Sequence, residues 1–404
     1  MKRILALVLA LCMVFALCAC GDGDKDPKTT DNGNETAMKV AMITDYGDIT
    51  DQSFNQTTYE ACKAYCSEKS IDFNYFKPAS DSDADRVAMI EKAVADGYNV
   101  IVMPGYAFAN AIKQTVNTYT DVKFVALDVG AGDLNTFNDD GSIKEEFKVP
   151  SNLYCAVYQE ELCGYMAGYA AVKLGYKNLG FLGGMAVPAV VRYGYGFVQG
   201  VDAAAADMGL TDVKVNYVYG GQFKGDADIT AVMDTWYQGG TEVVFACGGG
   251  IYTSAVDAAK KANAKVIGVD VDQAGVIAKY AAGDGADEAT IAQYLDLTVT
   301  SAMKGLYPAT YDTLTDVIVN GNWDKYVGKI ETLGLVSGTD PEANYVQIPM
   351  GDGTQWSDSF TQDDYKAMVA DMFDGKVTVS NDTKKAVKDF ATVITVNDQG
   401  QIKG

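Results

Sequence analysis

Short apolar runs rich in β-branched residues recur along the chain, separated by stretches with helical spacing. KVAMITD (39–45) precedes a helical pattern over 53–69. IDFNYF (71–76) precedes one over 84–96, and NVIVMPG (99–105) one over 107–119. KFVALDVG (123–130) closes this first set. Each run is short and nearly continuously apolar, as strands covered on both faces are, and the alternation predicts a parallel sheet flanked by helices. After a polar stretch (132–152) and LYCAVY (153–158), a Gly/Ala-rich helix is expected over 159–174. The rhythm then resumes with runs at 178–184, 213–221, 242–250 and 265–273, and with helices over 191–208, 227–239 and 252–263. The pattern therefore predicts two doubly wound α/β lobes in series.

Beyond residue 284 the pattern suggests a helix over about 289–303, strand-like segments near 317–318, 326–332 and 345–348, and a last helix over 360–373. This tail is too short for a third domain and is expected to cross back and complete both lobes. The crossings are expected near Asn152, Asp270 and Leu333. One lobe then comprises 38–152 plus about 274–332, and the other 153–273 plus about 333–404. Several connecting strands make a hinge with a cleft between the lobes.

In open α/β sheets, ligands bind beyond the carboxyl ends of the strands. In the first half those ends carry Asp45, a Pro-Gly-Tyr (104–106) and Asp128. In the second they carry Gly183 and Gly184, Gly220 and Gly221, the Gly248–250 triplet, and Asp270 followed by Asp272 and Gln273. Glycines let backbone approach a ligand, and carboxylates accept paired hydrogen bonds from vicinal hydroxyls. Asp45 and Asp128 also suit the capping of a following helix, and Asp51, two residues before Ser53, suits it better. The glycine triplet is neither a GxGxxG fingerprint nor a P-loop. Phe54 opens a helix among polar residues, where a ring at a cleft mouth can stack on a flat ligand.

The remaining composition mainly excludes. The chain has 404 residues, of which 48% are hydrophobic and 21% charged, enough to bury more than one core. Its formal net charge of −22 argues against nucleic acid as a partner. Histidine is absent, which removes Ser-His-Asp and Cys-His nucleophile pairs and His-ligated zinc. Lys2 and Arg3 precede an apolar run over 4–19, the layout of a signal peptide (1–19) rather than a membrane span. Leu17, Ala19 and Cys20 followed by Gly21 resemble a bacterial lipobox, which implies cleavage before Cys20 and lipid on its sulfur. Residues 20–37 lack large apolar side chains and read as a flexible tether. Five cysteines remain after it (Cys62, Cys66, Cys155, Cys163 and Cys247), an odd number read as small buried hydrophobes.

The motif DYGDITDQSFNQ (45–56) resembles the opening of the BMP (basic membrane protein) family of bacterial lipoproteins, of the purine nucleoside receptor type. Further matches follow in order: Asn152, Glu160 and Glu161 with GYMAG (164–168), FLGGM (181–185) with Pro188, Gly196, Phe197 and Gly200, VIGVDVDQ (266–273), and TSAMK (300–304). The resemblance covers roughly 38–335. It implies a type I periplasmic-binding-protein fold, two doubly wound parallel-sheet lobes joined by a multi-strand hinge. It also implies an extracytoplasmic solute-binding protein, lipid-anchored at Cys20 to the cell membrane, that hands a nucleoside, purine by preference, to ABC permease subunits. Carried over by position, Asp45 and Asn55 contact the ligand's polar edge, Phe54 stacks on the base and Asp128 hydrogen-bonds it. Asp270 accepts the ribose hydroxyls, Lys304 sits near the sugar, Phe223 covers the opposite ring face, and Gly248 joins the ligand-binding set. The chain departs from the family over 135–150 and 281–288, and GLVSGT (334–339) replaces a family segment. No enzyme activity, cofactor, metal or nucleic-acid partner is expected, and the protein is expected to act as a monomer. The alternatives are a binder of a pentose or other small polyol, a nucleoside-sensing receptor without transport, and a nucleoside hydrolase or phosphorylase.

Overall fold

A computed structural model describes residues 37–403. The expected signal peptide, Cys20 and the tether up to residue 36 lie outside the described residues. The rest builds two large sheets and a small antiparallel pair, Thr136–Phe137 with Ile143–Glu145. The first runs in the order Lys329–Leu333, Leu153–Tyr158, Lys123–Leu127, Val100–Pro104, Val40–Ile43 and Phe73–Phe76, all parallel. The second runs Val346–Gln347, Thr298–Lys304, Lys265–Asp270, Val243–Cys247, Asn178–Gly183, Lys214–Tyr219 and Thr395–Gln401, with only the first pair antiparallel. The central strands Val40–Ile43, Val100–Pro104 and Val243–Cys247 are buried at every position, which is why their sequences are apolar on both faces. Helices cover the sheets, and each lobe is doubly wound as the alternation predicts.

The chain crosses between sheets three times, and two crossings differ from expectation. Leu153–Tyr158 pairs with the first sheet, so the first crossing follows Tyr158 rather than Asn152. Residues 298–304, all but the last within the helix expected over about 289–303, form a strand of the second sheet, so the next crossing follows Lys304 rather than Asp270. Only Glu288–Ala292 of that expected helix is α-helical. All residues of 298–304 except Met303 are buried, and Thr298, Val299 and Thr300 are β-branched, which suits a central strand better than a helix. The third crossing follows Leu333. The segment 317–318, expected to be strand-like, lies in a π-helical turn, Thr315–Val319. The sequence pattern carries no signal for strand Thr395–Gln401, which is exposed at all positions but Val396.

One apolar core runs from the first sheet through helices Glu160–Lys173 and Pro188–Asp207 into the second sheet. These two helices touch backbone to backbone. A Cβ on Gly196 would lie 2.0 Å from the Glu161 carbonyl oxygen, and one on Gly164 would lie 2.3 Å from the Tyr193 carbonyl oxygen. This approach fixes the start of the first helix against Arg192 and Tyr193 of the second. The five cysteines of the described chain are all free and buried.

Gly196→Leu is expected to force these backbones apart and to cost more than about 2 kcal/mol in a denaturant titration, as overpacking does. A variant with an unchanged midpoint and slope would mean that the contact is not tight.

Candidate functional site

Both sheets point the carboxyl ends of their strands toward each other, and the site is built there. After Val40–Ile43 the buried carboxylate of Asp45 accepts hydrogen bonds from the backbone N–H groups of Tyr46 (2.7 Å) and Gly47 (2.8 Å) and from Asn55 Nδ2 (3.3 Å). Burial pushes its pKa up against the pull of those donors. Asp51 caps helix Phe54–Lys69, accepting from the N–H groups of Ser53, Asn55 and Gln56, each at 3.0 Å. That leaves the Ser53 hydroxyl free to donate to Asp270 Oδ2. Asn55 Oδ1 is buried without a hydrogen-bond partner among the described residues.

Lys304, at the end of its strand, is the centre of the site. Its side chain is 3% exposed. Nζ lies 2.5 Å from Asp128 Oδ2, 3.5 Å from Glu160 Oε1 and 3.8 Å from Asp270 Oδ1. The same ammonium stands 4.7 Å from the centre of the Phe54 ring, 5.4 Å from that of Tyr158 and 5.7 Å from that of Tyr193. Burial works to lower the Lys304 pKa, but the carboxylates of Asp128, Asp270 and Glu160 outweigh it and hold the group charged. Burial raises the pKa of Asp128; Lys304 opposes that shift and Glu160 adds to it. Arg192 Nε donates to Glu160 Oε2 at 2.7 Å, and the Tyr193 hydroxyl donates to Asp270 Oδ1 at 3.2 Å. Three carboxylates thus face two cations. Asp128 Oδ1 and the Tyr158 hydroxyl are buried without a hydrogen-bond partner among the described residues.

Asp128 and Asp270 occupy matching places, each just beyond or at the end of the fourth strand in chain order of its winding. Both have left-handed backbones, with φ of 60° and 65°. Asp tolerates this conformation better than most L residues, and such positions cluster where function demands them.

Phe223 and Gly248 form a second group. A Cβ on Gly248 would lie 2.7 Å from Phe223 Cδ1, and one on Gly184 would lie 2.3 Å from it, so the ring lies across two glycine turns at strand ends. The adjacent Met185 Sδ accepts from the hydroxyls of Tyr46 (3.6 Å) and Tyr106 (3.8 Å) of the first lobe. Gln273 Nε2 donates to the Gln52 carbonyl at 3.0 Å. With Ser53 on Asp270, these bonds bring the lobes into contact across the cleft. Open cavities of about 470 and 550 Å³ lie elsewhere: one on the second lobe beside Asp226 and Asp257, one behind the hinge beside Gln159 and Gly334. They contain none of the expected site residues.

The sequence-predicted residues therefore gather in two sets. Asp45, Phe54, Asn55, Asp128, Asp270 and Lys304 form one linked cluster, and Phe223 with Gly248 form the other. Ser53, Glu160, Arg192, Tyr193 and Met185 had no assigned role. A pair of acids opening a helix reads as complement to its dipole, and only the otherwise apolar helix Glu160–Lys173 hinted that Glu160 is buried. Among the described residues no group of three or more His, Cys, Asp or Glu side chains is arranged to hold a metal ion. No helix of the described residues is long and apolar enough to cross a membrane.

A family model described as Bmp, "ABC transporter substrate-binding protein PnrA-like", matches residues 38–339. The chain belongs to this family. It is accordingly a substrate-binding protein of ABC transporters and not an enzyme. Among curated members, "ABC transporter nucleoside-binding protein BmpA" of Lactococcus lactis subsp. cremoris is 27% identical over 94% of this chain and 99% of its own length. A "CD4+ T-cell-stimulating antigen" of Listeria innocua is 30% identical over 78% of this chain and 84% of its own length. An ABC transporter solute-binding protein of Aeropyrum pernix K1 shares the fold with a TM-score of 0.60 at 19% identity, covering 87% of this chain and 90% of that one. The type I periplasmic-binding-protein fold is thus common to this family and its structural neighbours.

Glu161 is 2% exposed, and burial pushes its carboxyl up to about 7 from an ordinary 4.5, with Glu160 adding to the shift and Arg192 opposing it. A carboxyl raised in the folded state contributes stability that is complete below its unfolded pKa and is lost as pH rises toward 7. Glu161→Gln is expected to remove that loss, at most about 3 kcal/mol between pH 4.5 and 8. Parallel stability–pH curves for wild type and variant would refute it. Lys304→Met leaves Asp128, Glu160 and Asp270 without their shared ammonium, at an expected cost of about 3–5 kcal/mol at pH 7. The cost is expected to be smaller at pH 5, where Asp128, already raised by burial, takes up a proton more readily. Wild-type stability at pH 7 would exclude Lys304 from this role.

Proposed function

We propose that the protein is a lipid-anchored, extracytoplasmic receptor that captures a nucleoside, purine by preference, between its lobes and delivers it to an ABC importer. The observation that carries this reading is the Lys304 cluster. It joins carboxylates from both lobes to an aromatic ring and leaves acceptors on Asn55 and Asp128 unpaired. Such a site asks for a ligand that donates hydrogen bonds, carries no negative charge and presents a flat face. A purine nucleoside has N–H donors on its base, a ring N–H in inosine and guanosine and an exocyclic amine in adenosine, and vicinal hydroxyls at its other end. The Lactococcus relative is named for nucleoside binding. Relatives in Pyrococcus abyssi and Pyrococcus horikoshii are named lipoproteins, which supports an anchor at Cys20 and a location on the outer face of the cell membrane.

In this reading Asp45 and Asn55 hold the polar edge of the base, and Phe54 and Phe223 cover its faces. Asp128 accepts from the base, Asp270 accepts from the ribose hydroxyls, and Lys304 and Gly248 line the site. Entry requires the hinge to open and the bonds of Ser53 to Asp270 and of Gln273 to Gln52 to break. Closure around a ligand restores contact between lobes, so a molecule that touches both sides stabilises the closed form.

Residues 38–404 are expected to melt at higher temperature with a nucleoside than with free ribose or free base, since ligand bound to the folded state stabilises it. Phe54→Ala is expected to raise the nucleoside Kd by about ten- to a hundredfold in calorimetry, the scale of one lost stacking contact. An equal shift with free ribose would favour a sugar receptor, and no shift with any nucleoside would end this reading.

A further inference from the structure

The family match ends at residue 339, and the last strand of the second sheet, Thr395–Gln401, lies far beyond it. This strand contributes little to the core, since only Val396 within it is partly buried. Hydrophobic burial therefore does not explain why it is held so firmly at both ends. At its start the buried carboxylate of Asp202 accepts the N–H groups of Thr392 (2.8 Å), Val393 (2.8 Å) and Ile394 (3.2 Å) and the Thr392 hydroxyl (2.6 Å). The strand then runs parallel to Lys214–Tyr219. At its far end the Ile402 N–H donates to the Tyr219 carbonyl at 2.8 Å, and Lys403 pairs with Asp226 and with Asp228.

That far end abuts the loop that carries Phe223. A Cβ on Gly221 (φ 83°) would lie 2.6 Å from the Lys403 carbonyl oxygen, so chain and loop touch backbone to backbone. Asp226 is shared: besides Lys403 it accepts from Gln222 Nε2 (2.7 Å) and caps helix Ala227–Gln238 through the Ile229 N–H (3.0 Å). The tail thus braces Gly221, Gln222 and Asp226 on both sides of Phe223, while the inner face of the loop is tied by the Gly250 N–H to the Phe223 carbonyl (2.8 Å).

We propose that residues 392–403 are a strap that positions the Phe223 loop, with Lys403 as its terminal clasp, and so tunes how the second lobe covers the flat face of the ligand. This rests on the reading of Phe223 as a ring contact in the nucleoside site. Lys403 touches no ligand; it is a positioning residue acting through Asp226 and Gln222.

The test compares Lys403→Met and a chain ending at residue 394 with wild type, by hydrogen exchange of the 220–226 amides without ligand and by calorimetry with inosine and guanosine. Exchange across 220–226 is expected to speed up in both variants while the first-lobe strands stay protected. Losing an exposed ion pair is expected to raise the nucleoside Kd roughly threefold in Lys403→Met. Removing the whole strand is expected to raise it roughly tenfold, the scale of indirect positioning effects. In a Phe223→Ala background the Lys403→Met effect on Kd is expected to vanish, which a general loss of stability would not produce. Unchanged exchange over 220–226, or a Kd effect that persists without Phe223, overturns the strap. Faster loop exchange together with a wild type that binds no nucleoside supports the strap and overturns the ligand reading beneath it.

Discussion

A lysine ammonium with almost no access to water sets the terms for everything around it. Desolvating such a group costs several kcal/mol unless opposite charges surround it. The partners of Lys304 come from three parts of the chain: Asp128 at the rim of the first sheet, Asp270 at the rim of the second, and Glu160 just past the first crossing. Lys304 itself ends the strand before the second crossing. Satisfying this one cation therefore ties the hinge to both rims, and the position of each lobe becomes a condition of electrostatic balance in the cleft.

The surrounding architecture serves that balance. Glu160 can accompany Lys304 because Arg192 neutralises its other oxygen, and Arg192 is within reach because the two helices pack through glycines. A bulkier seam would separate the acid from its base. Asp128 and Asp270, at matching strand ends, share a left-handed backbone, so each lobe offers a carboxylate from the same kind of turn. The first lobe adds a ring at position 54 and the second a ring at position 223. Two similar halves thus present different chemistry to a shared space.

How much of this was legible in the sequence depended on burial pattern. Val40–Ile43, Val100–Pro104 and Val243–Cys247 announce themselves because strands covered on both faces are apolar at every position. Thr298–Lys304 is buried at all positions but Met303, yet its serine, alanine, methionine and lysine interrupt the apolar run, so the pattern alone reads as helix and sets the second crossing near Asp270. Thr395–Gln401 was invisible for the opposite reason, since it is an exposed edge strand without an apolar stripe. At the site, carboxylates at strand ends were readable because topology says where strand ends go. Ser53, Arg192 and Tyr193 were not, because a polar residue on a helix looks like surface until a second helix or lobe is packed against it. Asp51, two residues before Ser53, caps the helix as its position predicts, and the five cysteines, small hydrophobes by composition, are buried and free.

The charge count of the cleft bears on what kind of molecule closes it. Three carboxylates meet two cations there, and Asp128 is held above the ordinary carboxylate range by burial and by Glu160 as well as being opposed by Lys304. On the proposed reading, a neutral nucleoside donates into the free acceptors of Asn55 and Asp128 and leaves that balance intact. A nucleotide would bring one or two negative charges into the same space. Near 4 Å and at the effective permittivity of a protein surface, each unit repulsion is worth about 4 kcal/mol, comparable with what a few well-placed hydrogen bonds return. Pairing a phosphate with Lys304 would draw the ammonium from Asp128 and leave Asp128, Glu160 and Asp270 short of that cation. On the proposed reading, the pairing of Lys304 with Asp128 across the cleft therefore also disfavours the phosphorylated form of the ligand.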